Sequence, residues 1–176
     1  MNQNIRKVAA IGGVLGGFTA LLYTITLYLL DENPFGKYKY MIAGVYAIFF
    51  IGSMWWFRDK MNNYRMGVRQ GVMIGILLNA FASMMFISSI YLVMKLTETG
   101  EGILEIHQAQ TMEMLDKARE FAPEKMTEKL YGQTKTTILA WDAFDVAADQ
   151  IAFFLGAGFV NAIVFGLMMS FKGNEG

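Results

Sequence analysis

Four stretches of this chain run long enough without a charge to cross a lipid bilayer, and they bound what it can fold into. They are residues 8–30, 41–57, 71–94 and 151–171. At roughly 1.5 Å per helical residue, about 20 apolar residues span a hydrocarbon core of about 30 Å. The first run has 23 uncharged residues after Arg6 and Lys7. That is too long for the apolar core of a signal peptide, about 7–15 residues. It ends in Tyr28-Leu29-Leu30-Asp31, which is no small-residue cleavage site, so it reads as an uncleaved span. The second run is the shortest, and Trp55, Trp56 and Phe57 close it as an interfacial aromatic belt. The expected fold class is all-α, a polytopic membrane protein of four transmembrane helices. Residues 1–176 form one membrane domain, and 95–150 form an external amphipathic helical insert between the third and fourth spans.

The loops sort the charges, although the net charge of the chain is zero. Between the second and third runs lies Phe57 to Gly71, with Arg58, Lys60, Arg65 and Arg69 against Asp59 alone. Lysine and arginine in short loops collect on the cytoplasmic side. Placing both termini and this hairpin on one side puts Arg6, Lys7, Arg58, Lys60, Arg65, Arg69 and Lys172 there, against Asp59 and Glu175. The opposite side carries an excess of acids. Arg58, Lys60, Arg65 and Arg69 are therefore the orientation-setting residues. Both termini are then expected in the cytoplasm and the long loop outside, periplasmic if the cell is Gram-negative.

Residues 101–122 place Ile103, Leu104, Met114, Leu115, Ala118, Phe121 and Ala122 on one side of a helical wheel, with acids opposite, the pattern of an amphipathic helix. Ile103, Leu104, His107, Leu115 and Phe121 are the candidate partner-facing positions. A short helix is expected over 124–131, stopped by Gly132 as a C-terminal cap. Residues 133–137 read as a turn, and from Ile138 the chain should continue helically into the fourth span.

Few residues invite chemistry. Cysteine is absent, so there is no disulfide, thiolate metal site or cysteine nucleophile. His107 is the single histidine and has no second ligand at metal spacing, which favours a packing role. Asp142, Asp145 and Asp149 share one face of a helix entering the fourth span. They read as a solvated face or, in a sharper reading, as an acidic mouth that attracts cations. Asn79 and Asn161 are the strongest polar groups within the spans. At similar depth, they are placed to hydrogen-bond across the bundle, a tie typically worth about 0.6–2 kcal/mol. Pairs such as Gly13/Gly17, Gly71/Gly75 and Gly158/Ala162/Gly166 are spaced for close helix packing.

The layout resembles the DUF4199-type family of uncharacterised four-span bacterial inner-membrane proteins, seen mainly in Bacteroidetes. The resemblance rests on Phe57-Arg58-Asp59-Lys60 at the end of the second span and on the basic hairpin. Gly71-Val72-Met73-Ile74-Gly75-Ile76 opening the third span, the acidic helical insert and the small-residue-rich fourth span complete it. The hairpin is richer in Asn and Met than the family pattern. The resemblance implies a fold and a taxon but no catalytic residues. The expected function is non-catalytic, an accessory or scaffold subunit of a larger membrane assembly. The alternative is a small oligomeric transporter or channel with the three aspartates at its mouth. No enzyme activity and no cofactor are expected. The expected partners are the bilayer and either membrane proteins or a second copy, with no nucleic acid.

Overall fold

A computed structural model describes residues 3–171. The helices are α1 (Gln3–Leu29), α2 (Lys39–Trp56), α3 (Val68–Leu96), α4 (Glu98–Phe121), α5 (Glu128–Leu139) and α6 (Ala143–Phe171), with a π-helical turn at Phe57–Met61. No strand occurs among the described residues. Four helices, α1, α2 with its π-turn, α3 and α6, are long and apolar enough to cross a membrane. Most of their ends run past the uncharged stretches, as at Gln3 in α1, Val68 and Leu96 in α3 and Ala143 in α6. Lys172 and Glu175 of the charge count lie outside the described residues.

The third helix is central. α1 packs along one side of α3 and α6 along the other, while α2 closes the ring by touching α1 and α6. Missing side chains let these helices approach. A Cβ on Gly13 would stand 2.7 Å from the carbonyl oxygen of Leu78. One on Gly75 would stand 2.6 Å from Ala162 Cα, and one on Gly166 2.7 Å from the backbone nitrogen of Val72. Gly71, Gly75, Ala162 and Gly166 thus form a backbone-to-backbone seam between α3 and α6. In lipid, where neighbouring tails are as apolar as leucine, such contact drives helix association. Larger side chains fill the core nearby, with Tyr46, Phe50, Phe57 and Phe86 essentially inaccessible. Phe57 is therefore a core residue, not part of an interfacial belt with the half-exposed Trp55.

At one end, α4 and α5 form an antiparallel hairpin that caps the bundle. Thr97 leaves helical geometry, and its hydroxyl accepts from Gly100 N–H at 3.0 Å, opening α4. A Cβ on Gly100 would collide with the Val93 carbonyl, so the tight reversal from α3 needs glycine there. The hairpin departs from expectation at α5. Thr127 accepts from Leu130 N–H and starts the helix, which runs through Gly132 to Leu139. Gly132 faces open space. A mid-helix glycine weakens a helix by about 1 kcal/mol relative to alanine, not enough to end one already capped. The expected turn at 133–137 is helical for the same reason.

Nor does the chain run helically from Ile138 into α6. It breaks at Ala140–Asp142 and restarts. Asp142 accepts from Phe144 N–H at 2.8 Å and Asp145 N–H at 3.0 Å, while Asp145 accepts from Asp142 N–H at 3.0 Å. This reciprocal capping box fixes the start of α6.

Candidate functional site at the capped end

The capped end is held by side chains from three separated parts of the chain. The connection from α1 to α2 begins at Asp31, whose φ of 58° reverses α1, with Glu32 N–H reaching the Leu27 carbonyl at 3.0 Å. Asn33, 2% exposed, accepts from Phe35 N–H at 2.9 Å and donates to Gln110 Oε1 at 3.0 Å. Its amide also faces His107 Nδ1 at 3.5 Å. The His107 ring is stacked on Trp141 at 5.7 Å and met edge-on by Phe35 at 5.4 Å. Next to it, Gln108 donates to the Ile138 and Trp141 carbonyls at the end of α5 and the break that follows, at 3.3 and 3.0 Å. His107 thus joins the α1–α2 connection, α4 and the α5–α6 break.

Burial disfavours the imidazolium and lowers the pKa of His107 from 6.5. The carboxylate of Asp149 opposes that shift, and the ammonium of Lys39 adds to it. Neutral at pH 7, the ring packs like an aromatic residue. Among the described residues no group of three or more histidine and acidic side chains could hold a metal ion.

The α4 face expected to meet a partner is divided. Ile103, His107 and Leu115 are buried within the chain, and Leu104 packs against the core. Phe121 is 88% exposed and Met114 57%. The first part of α4 is covered by the protein's own bundle, whereas its last turn extends beyond that cover.

Asn79 and Asn161 do not bond to each other. Asn79 donates to the Leu155 carbonyl at 3.1 Å, tying α3 to α6, and collides with any side chain added at Gly158. Asn161 donates to the Ala43 carbonyl at 3.4 Å, tying α6 to α2. Similar depth put them together in expectation, but they point to different neighbours. The aspartates have partners of their own at the start of α6. Asp142 and Asp145 are occupied by the capping box, and Asp149 accepts from the Gln150 side chain at 3.0 Å.

At the opposite end, Lys60, Arg65 and Arg69 are exposed, whereas Arg58 is largely covered. The π-turn brings Arg58 Nε within 2.7 Å of Asp59 Oδ1, and the Arg58 carbonyl accepts from Tyr64 N–H at 2.9 Å. Asn63 and Tyr64 then take left-handed geometry, with φ of 50° and 61°. Arg58 belongs to the packed structure of this turn as well as to the basic side.

Reading the sequence missed Asn33, Gln108, Gln110 and Trp141, which build the cluster. The one available signal was Asn33-Pro34, a turn dipeptide whose asparagine commonly bonds backbone two residues on.

Four long apolar helices, close-packed through small residues, define a polytopic α-helical membrane protein. Residues 12–171 match the family described as protein of unknown function DUF4199, and the chain belongs to that family. No curated protein and no solved structure matches it.

Proposed function

We propose that the protein acts by binding, as a non-catalytic accessory or scaffold subunit of a membrane assembly. The observation that carries this is the use to which its intramembrane polar groups are put. Asn79 and Asn161 tie helices through backbone carbonyls. Asp142 and Asp145, the residues suited to a cation entrance, cap a helix. A transport path usually keeps polar groups for its solute, often where helices break near mid-membrane. The surface offered to a partner is the end of the α4–α5 hairpin, where Met114, Phe121 and Leu130 are exposed. In this reading the protein sits in the bacterial inner membrane, with the basic turn cytoplasmic and the hairpin periplasmic.

Purification in a mild detergent, followed by mass spectrometry of everything retained, tests it. A stoichiometric protein partner that is lost on Phe121→Ser supports the subunit reading. A lone species that conducts ions in liposomes, with flux abolished by Asp149→Asn, replaces it with the channel reading. A reporter in the 122–127 connection that proves cytoplasmic reverses the orientation.

A further inference from the structure

A cleft of about 530 Å³ opens between the α1–α2 connection and α4. That is within the range of small-molecule sites, about 300–1,000 Å³. Its base is rigid, because Asn33 is held by Phe35 N–H and by Gln110, and Phe35 is buried against His107. A preformed wall lowers the ordering cost of binding. Its rim is charged. Lys117 is paired with Glu113, which neutralises both. Lys37 and Lys39 have no ion-pair partner among the described residues. Lys37 lies over the Tyr38 ring at 4.6 Å, and Lys39 lies between Tyr40 and Phe153 at 5.8 and 5.4 Å. Glu32 is the one other carboxylate lining the cleft, so the lysines leave it with positive charge in excess.

The position of the cleft points to an amphiphile. It opens where α1 ends and α2 begins, beside Leu29, Leu30, Tyr40 and Met41, which are 59–70% exposed. Exposed leucines next to interfacial tyrosines mark the boundary between hydrocarbon and headgroups. Lysine is a compact point charge suited to a phosphate oxygen, and its stem can lie along apolar surface.

We propose that this cleft binds a phosphate ester through Lys37 and Lys39, and that the ester is the headgroup of a bilayer phospholipid whose chains run along the apolar skirt below. The site is independent of the subunit reading and stands if no protein partner exists.

The test uses the full chain purified in dodecyl maltoside, titrated with phosphatidylglycerol in mixed micelles and followed by native mass spectrometry. Lys37→Gln with Lys39→Gln is expected to weaken binding roughly tenfold or more. Lys37→Arg with Lys39→Arg should retain it. Lys125→Gln with Lys129→Gln, which removes equal charge from exposed positions on the α4–α5 hairpin, should leave it unchanged. Glycerol 3-phosphate separates the sources. Failure to displace the lipid at millimolar concentration supports the headgroup, and displacement at equal affinity overturns the lipid assignment. The site itself is overturned if the glutamine pair binds phosphatidylglycerol like the unaltered protein. It is also overturned if the Lys125/Lys129 variant loses as much binding as the glutamine pair.

Discussion

The seam between α3 and α6 and the cluster around His107 hold the molecule together by opposite means. The seam works by leaving side chains out, so that Gly71, Gly75, Ala162 and Gly166 bring backbones into contact. The cluster works by filling a polar junction, with Asn33 bonded to Gln110, and Gln108 to the Ile138 and Trp141 carbonyls, around a buried ring. In hydrocarbon, water cannot satisfy a polar group and cohesion comes from close packing. At the membrane boundary, water competes for every hydrogen bond, and burial has to be matched by partners. The seam should therefore be sensitive to added volume, and the cluster to lost partners and to protonation.

The sharpest way to break this contrast is volume. Gly75→Leu places a branched side chain where even a Cβ is too close to Ala162, and it should cost about 3 kcal/mol or more, read from unfolding in detergent. Gly132→Leu on exposed α5 should be neutral or stabilising in the same assay, since nothing lies near that glycine.

Partner loss comes next. Asn79→Ala and Asn161→Ala should each cost roughly 0.6–2 kcal/mol, and the double variant their sum, because each amide bonds a different carbonyl. Strong non-additivity would mean that the asparagines act as one pair. Asp142→Ala should cost about 1 kcal/mol through the lost cap of α6.

Protonation should move the cluster and leave the seam unchanged. The folded-state pKa of His107 is depressed by burial, so the unfolded chain binds the proton more readily. Stability is then fully present above the ordinary value of 6.5 and declines as pH falls through it toward the lower folded-state value. The groups that set this are Asp149 and Lys39, with Asn33, Phe35 and Trp141 in contact with the ring. Unfolding measured between pH 8 and 5 should show the decline, and His107→Gln should flatten it. The smallest effect is expected at Phe121. Replacing it by serine should change stability by no more than about 0.5 kcal/mol, because the ring is almost entirely exposed. Leu115→Ser, one and a half turns earlier and buried, should cost about 2 kcal/mol or more.

Much of the architecture was legible without coordinates. The four spans follow from uncharged length, since hydrocarbon excludes charges wherever they occur. The α4 stripe from Ile103 to Leu115 follows from helical period, and the seam glycines from small-residue spacing. Element ends were read less well. Gly132 looks like a stop and lies inside α5, because Thr127 starts that helix later than the sequence suggests. The aspartates look like one face of a continuing helix, but Asp142 ends the approach and begins α6. Phe121 follows the apolar period of α4 into a turn that nothing covers.

Composition and order along the chain therefore determined how many helices are long and apolar enough to cross and which loops carry the basic charge. Those properties depend on solvent, which meets each segment separately. Only the tertiary structure decided which carbonyl Asn79 and Asn161 each reach, that His107 lies between Phe35 and Trp141, and that Lys37 and Lys39 border a cleft. These depend on the rotation of each helix about its own axis and on the path of two short connections. That rotation is set by which backbones can approach, a property of pairs of helices that neither carries alone.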